Sequence, residues 1–314
     1  MKKIIVSLFA IFVSISISAQ KLHLKGFELS GSASTGMFGY NYKPTNGSQT
    51  NGPGLRVGLG FGYFPTSHIG ITTGLDIAAY SAFSSIKTGT AYAYTTYDSD
   101  GLPYIEQLNV DSKLKEQDIL YRIEIPLMLQ YRYYLPSGNA IYVAGGIKAS
   151  LPIAGYYHVS GGTVTATGKY TDLNATLSNI PWLGFTTTDL KEEHGMIATK
   201  KSYNALFEIG YMKKLKKTTF LTLSAFGEYG LNNTQKTVGS TNLIYPSFQY
   251  IGIPCSNAVN FTRFMSFGVK GAWHINLSGE PTPKGKKKTY EQPQKSVEPT
   301  SSNQTQGGNH RMGR

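Results

Sequence analysis

The feature that most constrains this chain is a strict apolar/polar alternation sustained over eight long segments. It occurs in a sequence that offers, after residue 20, no apolar run long enough for a membrane-crossing helix. The segments are 25–39, 54–64, 69–83, 118–134, 140–154, 202–213, 219–231 and 263–277. In the fourth, Ile119, Tyr121, Ile123, Ile125, Leu127, Leu129, Tyr131 and Tyr133 fall on one face, and Arg122, Glu124, Met128, Gln130 and Arg132 on the other. Period two over such lengths predicts strands with one apolar face. Each segment reaches the roughly 9–11 residues that a tilted membrane strand needs. Lipid satisfies no backbone group, so membrane-crossing strands must close into a barrel.

The connections alternate in length. Residues 65–68, 135–139 and 214–218 are short, whereas 40–53, 84–117, 155–201 and 232–262 are long. This order predicts an all-β fold, an eight-stranded antiparallel up-and-down transmembrane β-barrel with long extracellular loops and both termini on the periplasmic side. Outward aromatics are expected at two levels. Phe61, Tyr63, Tyr131, Tyr133, Tyr211 and Trp273 lie toward the short turns, and Tyr121, Tyr229 and Phe267 toward the long loops. Pro126 inside the fourth segment predicts a local bulge, since proline donates nothing to a ladder. A soluble extracellular β-protein is the rival fold, but it has no need of the long/short order.

The ends carry different signals. Residues 1–20 place Lys2 and Lys3 before an apolar stretch ending in small residues, the pattern of a secretory signal peptide cleaved after Ala19. The run is too short and too rich in serine for an anchor, and no cysteine follows to take a lipid. The expected organisation is a signal peptide over 1–19, a barrel over 20–277 and a disordered basic tail over 278–314. The tail is rich in Pro, Gln, Ser, Thr and Lys, and cell-wall contact is one expectation for it.

Net charge is +12, a value that raises nucleic acid as a partner. The first twenty residues carry +2 and the tail +4, and the remaining +6 form no basic stripe interleaved with stacking aromatics. Nucleic-acid binding is therefore not expected. Lys213, Lys214, Lys216 and Lys217 crowd one periplasmic turn, where phospholipid headgroups are their natural neighbours.

The fourth segment, YRIEIPLMLQYRYYLP (121–136), resembles the Tyr-x-x-Glu-Ile-Pro-Leu strand of the PorT-like outer-membrane β-barrel proteins of the Bacteroidota. NAIYVAGGIKASL (139–151), FGEYGLNN (226–233) and RFMSFGVKGAWHINL (263–277) are similar to the strands that follow and close that family's barrel. The resemblance spans about 20–277. It implies a non-enzymatic envelope structural, accessory or assembly protein, and it makes Pro126 a family feature. Related barrels often continue into a peptidoglycan-binding domain. With 37 residues after the barrel, no such domain is expected here.

The alternation aims Glu28, Asp76, Glu124, Glu208 and Glu228 inward, with Arg56, Arg122, Arg132, Lys148 and Lys270. Five acids meet five bases in a lumen that side chains alone can fill, so an interior ionic network is expected. The alternatives are a small porin-like channel for ions or solutes, and charges solvated at the rims. An outer-membrane enzyme is a third class. His158 or His194 with Ser160 or Asp189 is the imaginable constellation, but no spacing supports it. No metal or cofactor is expected, as the histidines lack ligand spacing, a lone Cys255 is present, and GLGFG (58–62) lies inside a strand. Two loop stretches, 180–185 and 241–254, are apolar enough to cover the barrel mouth or to meet a partner. Trp182, Tyr245, Phe248 and Tyr250 are the expected contact surface for an envelope protein or glycan.

Overall fold

The structure is a computed structural model and describes residues 25–86, 90–111, 113–236 and 242–278. The expected signal peptide and nearly all of the expected tail lie outside these residues. Eight long strands form a closed antiparallel ring: β1 (Gly26–Pro44), β2 (Pro53–Phe64), β3 (Ile69–Ile86), β4 (Lys115–Tyr134), β5 (Ala140–Gly161), β6 (Ser202–Lys214), β7 (Thr219–Gly230) and β8 (Val259–Asn276). Each pairs with its sequence neighbours, and β8 returns to β1, with Glu28 opposite Asn276 and Asn41 opposite Arg263. Closure leaves no strand edge within the ring. Among the described residues no helix is long and apolar enough to cross a membrane.

The outside of the ring is an apolar belt. Val57, Leu59, Ile71, Leu75, Ile77, Ile125, Leu127, Leu129, Ile147, Ile209 and Val269 are all exposed. The expected aromatics flank them on the same outer surface, Phe61, Tyr63, Tyr131, Tyr133, Tyr211 and Trp273 below and Tyr121, Tyr229 and Phe267 above. From Tyr121 to Tyr133 a tilted strand rises about 30 Å, the thickness of a hydrocarbon core. The first residues of β4, Lys115–Leu120, project beyond the belt.

Pro126 carries no bulge, contrary to the expectation from its missing N–H. The rungs on either side of it, Thr73 with Leu127 and Asp76 with Glu124, keep one register. The ladder to β3 skips two rungs instead of shifting, and the Thr73 hydroxyl donates to the Pro126 carbonyl at 2.8 Å. The β4–β5 ladder shifts register higher, between Tyr121 and Arg122 and again between Lys115 and Glu116, and the extra residues, Ile153 and Ser160, belong to β5.

The seam that joins the chain's first and last strands is built on glycine. Gly36 sits between Gly268 of β8 and Gly54 of β2 on one rung. A Cβ on Gly268 would overlap the carbonyl oxygen of Thr35, whereas one on Gly271, three residues on, would meet nothing within 4 Å. Gly268→Ala is expected to cost about 1–3 kcal/mol through overpacking. Gly271→Ala should leave stability unchanged, and urea midpoints of the folded barrel in detergent compare the two.

Above the belt the long connections build structure of their own. Strands at Thr90–Tyr97, Pro103–Val110, Thr163–Tyr170, Ala175–Leu177 and Thr187–Asp189 form a separate antiparallel sheet, an extracellular head rising from β3, β4 and β5. Its buried face carries Tyr92, Leu108, Val110, Val164 and Ala166.

Candidate functional site, a sealed lumen beneath an extracellular lid

The lumen is filled in layers, and the inward face of each strand contributes in turn. At mid-height Arg56 of β2 and Lys148 of β5 bridge Glu124 of β4 and Glu228 of β7. Lys148 Nζ lies 2.7 Å from Glu124 and 2.6 Å from Glu228, and Arg56 Nη1 lies 2.5 Å from Glu228. Arg56 Nε stands 2.8 Å from Glu124, close enough for ion pairing although its N–H is not directed at the oxygen. The Tyr80 hydroxyl donates to Glu124 at 2.6 Å and the Ser266 hydroxyl to Glu228 at 2.6 Å. All four charged groups are buried. Two bases alternate with two acids, so each charge meets both opposite partners. A buried ion pair is tolerated under that condition.

Below this cluster Arg132 makes a two-pronged bond to Glu28, 2.7 Å on each arm, and its guanidinium lies flat on the Phe64 ring, 3.4 Å from the centroid. Planar fork geometry and stacking are what arginine offers over lysine. Glu208 accepts from Tyr142 at 2.5 Å, from Ser224 at 2.8 Å and from Lys270 at 3.0 Å. Between these layers remains a polar cavity of about 70 Å³ lined by Asp76, Gln130, Glu208, Lys270 and His274. It has room for a few water molecules.

Nine of the ten charged residues expected inside thus hold hydrogen bonds or ion pairs within the lumen, and Asp76 lines the cavity. Arg122 differs from the pattern of acid–base pairing. It is fully buried and has no carboxylate among its hydrogen-bond partners; it bonds Ser150, Thr199 and the Lys200 carbonyl, and lies 4.2 Å over the Phe264 ring. Thr199 and Lys200 belong to the long 162–201 connection, so Arg122 ties that segment down onto the barrel.

The mouth is closed by the last long connection. Leu243, Ile244, Tyr250, Ile253 and Pro254 are buried over the upper lumen against Tyr42, Tyr157 and Leu120. Of two carboxylates on the projecting end of β4, Glu116 bonds this lid and Asp118, beside it, bonds barrel strand β1. Glu116 accepts the Tyr250 hydroxyl at 2.5 Å and the Ile253 N–H at 2.9 Å, and Asp118 accepts the Tyr42 hydroxyl at 2.5 Å. The Tyr157 hydroxyl donates to the Tyr250 carbonyl at 2.9 Å and the Gln235 amide to the Val259 carbonyl at 2.6 Å. Burial raises both carboxyls above the ordinary range, and for Glu116 the neighbouring Asp118 charge adds to it; Asp118 is pushed up to about 7.

The expected loop surface is divided by this arrangement. Tyr250 turns inward as part of the latch, 6% exposed, and so lies off any outer surface. Tyr245 and Phe248 are half-buried on the lid, while Trp182, in the turn beyond Ala175–Leu177, is 84% exposed. Its neighbour Phe185 is buried under Tyr104, and Tyr104 stacks on Tyr170. Sequence reasoning missed the latch, because Glu116 lies outside the 118–134 segment. Its signal was present, since 116, 118, 120, 122 and 124 continue one alternation. His158 and His194 face each other across a strand pair, and the His194 ring bonds the Glu192 carbonyl at 3.0 Å. Among the described residues no cluster of three or more His, Cys, Asp or Glu could hold a metal.

Known proteins were compared with this architecture. No family model matches the chain, and no curated protein matches it. Solved outer-membrane structures do. Neisserial surface protein A aligns at 10% identity with a TM-score of 0.37, covering 81% of this chain and 98% of its own. Outer membrane protein OprG from Pseudomonas aeruginosa aligns at 11% identity with a TM-score of 0.34, over 81% of this chain and 98% of its own. The translocator domain of the autotransporter NalP from Neisseria meningitidis aligns at 8% identity with a TM-score of 0.26, over 88% and 94%. At these values the description of the barrel rests on its own closed ring and belt.

Proposed function

We propose that the chain is a non-enzymatic outer-membrane protein whose sealed barrel is an anchor and whose extracellular head makes the contacts. The observation that carries this reading is the lumen. The Arg56–Glu124–Lys148–Glu228 cluster spans its middle, Arg132–Glu28 with Phe64 fills its lower end, and the lid covers its mouth. A channel would need all three to part. The apolar residues displayed on the head favour a docking role, because Tyr97, Leu102, Leu173, Trp182 and Leu183 are exposed well above the belt. Tryptophan at such positions is a frequent interface anchor. The partner class is an envelope protein or glycan. The short strand motifs shared with PorT-like barrels support an accessory or assembly role in the envelope.

The test is purification from outer membranes in mild detergent through a tag on the C-terminal tail, with partner masses and stoichiometry measured. A partner at fixed ratio, lost on replacing Trp182, Leu183 and Leu173 with Ser, is the expected result. A wild-type barrel that always purifies alone, or a partner retained by the triple variant, overturns the docking surface.

A further inference from the structure

One half of the outer wall, from β6 round to β1, has features that neither the lumen nor the head uses. Every acid on β1, β6, β7 and β8, namely Glu28, Glu208 and Glu228, faces the lumen. At the outer rim of this wall the outward charges are basic: Lys43 on β1, Arg263 on β8, and Lys201 immediately before β6. Arg263 stands just above the upper aromatic level. Its guanidinium lies 4.3 Å from the Phe261 ring and 5.1 Å from the Tyr229 ring, and it contacts the Tyr229 hydroxyl. Two aromatic faces therefore hold an otherwise flexible side chain in place. Asn41, Tyr42 and Lys43 complete a pocket of about 320 Å³ around it.

Below this pocket the wall is hollowed. Ala225 is exposed on β7 and Ala33 on β1, and a Cβ on Gly227, Gly271 or Gly31 would meet nothing within 4 Å. Farther down, Gly31, Ala33 and Gly271 floor an apolar groove of about 840 Å³ between Leu59 and Leu75 on one side and Leu223 and Trp273 on the other. Eight residues of tilted strand separate Arg263 from Gly271, a depth of about 20 Å, so the groove lies at the level of acyl-chain ends.

We propose that this wall binds one phosphorylated glycolipid of the outer leaflet, its phosphate on Arg263 and Lys43 and an acyl chain along the hollow beneath. Charge complementarity selects the occupant. An arginine fork matches a phosphate's oxygens, Lys43 adds a second positive charge, and no outward acid on these strands opposes them. The site commits to the outer leaflet, because Arg263 lies at the end of the belt that carries the head.

The probe is rough-type lipopolysaccharide, titrated into the detergent-purified full chain and counted by native mass spectrometry. Wild type is expected to retain one molecule per barrel. Arg263→Ser with Lys43→Ser should bind at least about tenfold more weakly, since losing a single charge-assisted contact already has that scale. Phosphatase-treated lipopolysaccharide should bind wild type no better than the variant binds the intact lipid. Gly227→Leu, which fills the hollow and leaves the charges, should also weaken retention, while Lys115→Ser on another wall should not. Heat-modifiable gel mobility shows that each variant is folded. Equal retention by wild type and the double variant overturns the proposal. So does equal affinity for phosphatidylglycerol, which would show an unselective anionic rim.

Discussion

Arg56→Ala is expected to destabilise the barrel by about 3–5 kcal/mol, the cost of leaving a buried charge without its partner. The arithmetic of the cluster explains why the effect is large. With Arg56 gone, Glu124 and Glu228 share Lys148 as their one remaining counter-charge, and two buried carboxylates face each other. Replacing Arg56 and Glu228 together by Met should recover much of the loss, since matched apolar substitution of a buried pair is often close to neutral. The readout is the urea midpoint of the folded band in detergent. In planar bilayers wild type should stay electrically silent, and a large stable single-channel current would defeat the sealed-lumen reading. A stability loss that Arg56→Met alone repairs would assign the effect to volume and not to charge.

The second large effect concerns the lid and pH. Asp118 and Glu116 are buried beside Tyr42, Tyr250, Tyr157 and Cys255, and the base on the same face of β4, Arg122, is spent on Ser150, Thr199 and Lys200. Their carboxyls are raised in the closed lid relative to an open, hydrated one. A raised carboxyl pKa favours the closed form fully below the ordinary carboxylate range. That contribution is lost as pH rises toward about 7 for Asp118, and as pH rises above the ordinary carboxylate range for Glu116. Lid opening should therefore increase by up to roughly tenfold per pH unit for each carboxyl that titrates in that window. Hydrogen exchange of the Ile253 amide, which Glu116 accepts, reports it directly once corrected for the intrinsic pH dependence of exchange. Glu116→Gln with Asp118→Asn should flatten the profile. A lid with the same protection at pH 5 and pH 8 would refute the account.

The barrel was legible in the sequence because its cause is local. A side-chain period of two, set against lipid outside and charge inside, marks Ile123, Ile125 and Leu127 as clearly as it marks Arg122 and Glu124. The inward charges were legible for the same reason, though which acid meets which base was not. That pairing depends on the tilt and stagger of strands far apart in sequence, as with Glu28 and Arg132. The strand ends were less legible. Strand β4 runs past the belt with polar residues on both faces, and β5 with His158 and Ser160 on its outer face, so the lipid signal stops before the hydrogen bonding does. Tyr250 went the wrong way because an apolar loop reads the same whether it covers its own barrel or waits for another molecule. The carboxylates that draw it inward come from another part of the chain.

The unequal height of the wall has a mechanical consequence. Strands β3, β4 and β5 rise past the belt and carry the head, whereas β6 and β7 stop near it. A pull on the head therefore runs lengthwise down three adjacent strands. Their inter-strand hydrogen bonds lie across that direction and are loaded in shear, many rungs at once, not peeled one by one. A tether built this way resists force through the number of rungs that share the load. It would hold a load at the cell surface without any stiffening of the loops themselves.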